Sequence, residues 1–173
     1  MIFWHLGAGL VIVRSLFGRN LDYRWAMFGL LAPDLLDKPI GRVLFRRRFQ
    51  SGRLIGHSLA LSLAIAPMVV RRHRQNESRE AHGRAATALM AGQLVHIGMD
   101  WIWAEPEVAL WPFLGGFPAK PVRGSWWRAF IPGVRGGKAL EEMLGLAALA
   151  WLYRSSTLNR DRADFMRTGR MFD

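Results

Sequence analysis

The sequence predicts an all-α protein, a membrane-embedded bundle of about five apolar helices with one long loop rich in Pro, Gly and Trp. Three observations carry this reading. Apolar stretches of helical length recur at 2–17, 22–37, 54–70, 84–104 and 138–153. They are rich in Leu, Ala, Val, Ile, Met and Gly and lack the alternation of a half-buried strand. The connections between them are rich in Arg, as in GRVLFRRRFQSGR (41–53) and RRHRQNESREAHGR (71–84).

Segment 2–17 carries one polar side chain, His5, before Arg14. Segment 22–37 is expected to break near Pro33, because proline favours the first position of a helix and PDLLD can open a new one. Segment 54–70 holds His57, followed by Ser58 and Ser62. Segment 84–104 is the longest and contains Gln93, His96 and Asp100. The stretch 105–137 has no periodicity and reads as a long ordered loop, a kind that is often functional. Segment 138–153 opens with Glu141 and Glu142, where acids complement the helix dipole. A basic tail follows from about 154. The 173 residues suffice for a single domain, 1–173, with its own core.

About 20 apolar residues span a bilayer. Segment 84–104 meets that length, 2–17 and 54–70 are borderline, and 138–153 is short. Both flanks of 54–70 are strongly positive, which the positive-inside rule does not place comfortably on opposite sides. Either RVLFRRRF lies flat on the membrane, or not every segment spans. No cleavable leader is evident.

The net charge is +11, and only three of the 24 basic residues are Lys. This excludes an ordinary acidic cytosolic enzyme and suits an anionic partner, either phospholipid or nucleic acid. Phospholipid is favoured, since the arginines flank apolar segments instead of forming a groove interleaved with aromatics. The absence of Cys excludes disulfides and thiolate metal sites.

A polar group in an apolar medium costs a few kcal/mol, ~2–7, unless it finds a partner. Gln93, His96 and Asp100 share one helix face, and the His-xxx-Asp spacing stacks imidazole over carboxylate. Asp34 and Asp37 share a face if the helix continues past Pro33. Each motif alone also fits a hydrogen-bonded buried pair or a dipole-complementing acid. Together, His5, Asp34, Asp37, His57, His96 and Asp100 form a mixed nitrogen and oxygen donor set. That set suits a divalent metal, most of all Zn²⁺, with Mn²⁺ or Fe²⁺ as alternatives. Six donors suffice for two ions. Asp34, Asp37, His96 and Asp100 are the catalytic candidates, as ligands or general base. Either Glu141 or Glu142 is a further candidate. His73 and His82 lie in an Arg-rich connection and receive no role.

The order of these pieces resembles a known family. His5, APDLLD (32–37), GHSL (56–59), HIGMD (96–100) and WPF (111–113) look like the YdjM-type family of inner-membrane proteins over roughly residues 1–115. The resemblance implies a metal-dependent hydrolase in the bacterial inner (plasma) membrane. More distantly, such proteins resemble the all-helical zinc-dependent phospholipase C and single-strand nuclease fold, which implies a phosphoester substrate by analogy. The leading expectation is therefore hydrolysis of a lipid or lipid-linked phosphoester. The alternative is a non-catalytic helical protein whose buried His/Asp network holds the bundle together while its basic surface binds membrane or a partner protein.

Overall fold

A computed structural model describes residues 1–18, 21–45, 47–49, 51–72, 77–117, 137–155 and 162–170. Among them the chain is all-helical and without strands. The helices are α1 (Ile2–Phe17), α2 (Tyr23–Pro39), α3 (Leu59–Arg72), α4 (Glu77–Met99), α5 (Pro106–Ala109), α6 (Gly137–Ser155) and α7 (Arg162–Thr168). A wide π-type turn, Ile40–Leu44, extends α2, and short 3₁₀ turns at Ile55–His57 and Ile102–Ala104 precede α3 and α5.

Helix α2 packs on α4, α1 on α6, and α3 on α4, while α1 also touches α2 and α4. Small residues allow two of these approaches. A Cβ on Gly7 of α1 would lie 1.9 Å from the Gly145 carbonyl oxygen of α6. A Cβ on Gly29 of α2 would lie 2.2 Å from the Leu89 carbonyl oxygen of α4. The core between the helices is built by Leu10, Val13, Tyr23, Ala26, Leu30 and Leu152. Phe165 of α7 joins it, and the Gly169 carbonyl accepts the Tyr23 N–H at 2.8 Å. The basic tail is thus partly a docked helix.

Several expected boundaries move. Helix α2 runs through Pro33 without a break. Its packing against α4 offsets the missing hydrogen bond, which costs ~3 kcal/mol in an unsupported helix. Helix α3 starts at Leu59 instead of 54, because the Asp37 carboxylate captures the N–H groups of Leu54, Gly56 and His57 and holds them in a tight turn. Ser58 then caps α3 by accepting the Leu61 N–H. Helix α4 begins at Glu77, inside the expected connection, so His82 is helical while His73 lies outside the described residues. Good helix formers such as the Ala-rich stretch from Ala85 explain the extension. It ends at Met99, where Trp101 turns left-handed. Of the loop 105–137, residues 118–136 lie outside the described residues. The expectation that 84–104 spans a bilayer is not met: among the described residues no helix is long and apolar enough to cross a membrane.

Candidate metal centre

His5, Asp34, His57, His96 and Asp100 come from α1, α2, the turn before α3, α4 and the turn that ends α4, and their polar tips converge. His5, His96 and Asp100 offer donor atoms within 4.8 Å of one another, and so do Asp34, His57 and His96. The three imidazoles are almost wholly buried. His5 stacks on His96 with ring centroids 4.1 Å apart, and His57 meets His96 edge-on at 5.1 Å.

Each imidazole is held by its δ-nitrogen. His5 Nδ1 donates to the Met1 carbonyl at 2.5 Å, and His96 Nδ1 to the Leu30 carbonyl at 2.6 Å. His57 Nδ1 donates to Asp37 Oδ2 at 2.7 Å. These acceptors engage the δ-nitrogens and turn all three ε-nitrogens towards the cluster. They face one another and the carboxylates. His57 Nε2 lies 3.3 Å from His96 Nε2, 3.3 Å from Asp100 Oδ2 and 3.8 Å from Asp34 Oδ1. His5 Nε2 lies 3.1 Å from Asp100 Oδ1. Two unprotonated ε-nitrogens at such separation repel unless a proton or a cation lies between them.

Asp37 is placed differently from its neighbours. Its oxygens accept four N–H groups, from His57 Nδ1 and from the backbone of Leu54, Gly56 and His57. It positions His57 and does not join the donor cluster. Glu142 is not at the cluster either. Its carboxylate accepts the backbone N–H groups of Ile2, Phe3 and Trp4 and so caps α1. Gln93 is buried beside the cluster, and its Nε2 reaches the Gly56 carbonyl at 3.4 Å. Its Oε1 has no hydrogen-bond partner among the described residues.

Lys38, Arg53 and, at 3.9 Å, the Met1 ammonium contact the carboxylates. Lys38 pairs with Asp34 one helical turn away. Arg53 bridges Asp100 through Nε at 3.1 Å and Glu105 through Nη1 at 2.6 Å. Sequence reasoning missed Arg53 and Glu105, because nothing in the sequence separates Arg53 from the other arginines of 41–53. Burial is the largest influence on Asp34, Arg53, His57, His96 and Asp100. It drives His96 down to about 3, helped by the neighbouring imidazoles. For Asp100 burial opposes ionisation, but His5, His57 and Arg53 outweigh it and hold the carboxyl well below its usual range. For His57 burial favours the neutral ring, but its contacts to Asp100 and Asp37 raise it overall. Lys38 similarly outweighs burial and keeps Asp34 anionic.

A cavity of about 570 Å³ adjoins the cluster, with Arg53 and Asp100 in its wall. Trp4, Trp101 and Trp103 also line it, as does Glu141, whose Oε2 is buried without a partner among the described residues. Trp101 has φ 53° and ψ 44°, the left-handed region, directly after Asp100. Glycine is the usual residue there, and a bulky side chain in this conformation is an outlier.

The profile of a family described as YdjM inner membrane protein matches residues 1–161. No curated protein and no solved structure matches the chain.

Proposed function

The chain belongs to the YdjM family and is an inner membrane protein, and from that premise we propose that it is a metal-dependent phosphoester hydrolase. The observation that supports this most is the set of three ε-nitrogens, each with its δ-nitrogen already committed, turned towards Asp34 and Asp100. The donors fit a divalent ion of the Zn²⁺, Mn²⁺ or Fe²⁺ kind: imidazole nitrogens, carboxylate oxygens and no thiolate. His5, His57, His96, Asp34 and Asp100 would hold it, and Asp37 would hold His57. When bound, such an ion lowers the pKa of water and polarises a phosphoryl group. Asp34, kept anionic by Lys38, takes the proton of the attacking water. Arg53 donates to the phosphate oxygens from the cavity wall. The new bond runs from water oxygen to phosphorus, the ester P–O bond breaks, and the proton that Asp34 took from the water passes to the leaving oxygen.

The membrane partner in this reading is an anionic phospholipid surface. Val43, Leu44 and Phe45 are exposed within the Arg-rich stretch 41–53, which supports an arrangement flat on the headgroups. One observation favours the non-catalytic alternative. Lys38 and Arg53 already neutralise the two carboxylates, so a buried network without metal is also balanced. The test is elemental analysis of protein purified in detergent without chelator, together with phosphate release before and after chelation. Stoichiometric metal and chelator-sensitive turnover are expected. A folded protein without metal, inactive after reloading with each of the three ions, overturns the reading.

A further inference from the structure

The cavity beside the cluster has features of its own. Its volume of about 570 Å³ is that of a ligand site. Its wall is divided. Arg53 and Asp100 supply charge, while Trp4, Trp101 and Trp103 supply broad apolar faces. Gly98 lines it too, and a Cβ there would meet nothing within 4 Å, so the space in front of it is open.

Trp101 adds an independent observation. Its left-handed backbone is unfavourable for any residue with a Cβ. Burial does not repay that cost, since Trp101 remains 67% exposed and Trp103 58%. The two indoles rest edge to face with centroids 5.0 Å apart. An outlier that persists without a packing benefit, next to a candidate ligand, points to contact with something outside the chain.

We infer that this cavity seats the hydrocarbon chain of an amphiphilic phosphate ester, with its phosphate at Arg53 and its alkyl chain along Trp101 and Trp103. The inference rests on the hydrolase reading and names its substrate class: a single-chain alkyl phosphate, not a small water-soluble ester. Residence in the inner membrane brings such molecules to the cavity mouth, and the indoles exclude water from the alkyl portion.

The test measures binding, not turnover. Ethyl, octyl and dodecyl phosphate are titrated calorimetrically into the full chain as purified and exchanged into amphipol, with dodecanol as the uncharged control. Affinity should rise by on the order of tenfold or more from ethyl to dodecyl phosphate. Trp101→Gly should abolish that gain while its melting temperature holds or rises, because glycine relieves the left-handed strain. Gly98→Leu, placed in open space, should cut the gain off at shorter chains. Equal affinity along the series overturns the proposal. So does wild-type binding of dodecyl phosphate by both variants. Loss of vesicle flotation in Trp101→Gly with alkyl phosphate binding intact overturns it as well, making the indoles membrane anchors. Chain-length-dependent binding without phosphate release under any metal supports the cavity assignment and sinks the hydrolase reading alone. Metal-dependent release that is indifferent to chain length, in a protein that also binds the series equally, sinks the cavity assignment alone.

Discussion

Asp37 accepts the Nδ1 proton of His57 at 2.7 Å, and the same carboxylate takes three backbone N–H groups of the turn that carries His57. One buried acid therefore sets both the path of the chain and the direction of the imidazole. Neutralising it removes both controls. Asp37→Asn is expected to lower metal affinity by ~10–100-fold. It should also destabilise the fold by roughly 1.5–3 kcal/mol, since charged hydrogen bonds are lost. Metal titration and denaturant melts check the two effects separately.

His96→Ala is expected to remove bound metal and phosphate release together, because its ε-nitrogen belongs to both donor groups. Asp100→Asn keeps the shape and removes the charge, and should reduce metal occupancy with a smaller loss of stability. Elemental analysis of folded protein decides. If folded His96→Ala retains wild-type metal content, the cluster does not bind the ion.

Glu142, one of the two acids the sequence offers as a further ligand, serves the end of α1 instead. Glu142→Gln should lower stability by about 1 kcal/mol, the scale of a lost helix cap. Metal content should not change. A fall in metal stoichiometry in folded Glu142→Gln would contradict the capping role.

The metal-free protein should lose stability as acid is added. Burial holds His96 near 3 in the folded chain against an ordinary value of 6.5, so between these values the unfolded chain binds more protons. The contribution is full above pH 6.5 and is lost as pH falls towards 3. Chelated protein melted across pH 7 to 4 should show this slope, and chelated His96→Gln a shallower one. Equal slopes would remove His96 from the account.

Gly7→Ala tests the α1–α6 contact, where a Cβ would lie 1.9 Å from the Gly145 carbonyl oxygen. The two backbones must separate, at a cost of ~1–3 kcal/mol or more. Since α1 carries His5, metal affinity should fall along with the melting temperature. An unchanged melt would mean the helices are further apart than described.

The sequence by itself determined the helical class, the elements that carry donors and the pairing of His96 with Asp100. Those properties are local. Apolar composition over helical lengths excludes strands, and a spacing of four stacks two side chains on one face whatever surrounds the helix. Membership of the family was legible for the same reason, through short motifs in a fixed order. Tertiary structure decided what no spacing encodes. It made Asp37 a holder of His57 and Glu142 a cap for α1, because each meets N–H groups distant in sequence. It selected Arg53 from a run of arginines by setting it against Asp100 and Glu105. It also ended α4 at Met99, before a left-handed Trp101, and left no described helix both long and apolar enough to cross a bilayer. The physical reason is common to all of these: hydrogen bonds and charges act over a few ångströms of space, and only the packed bundle brings residues 5, 34, 57 and 100 within that range.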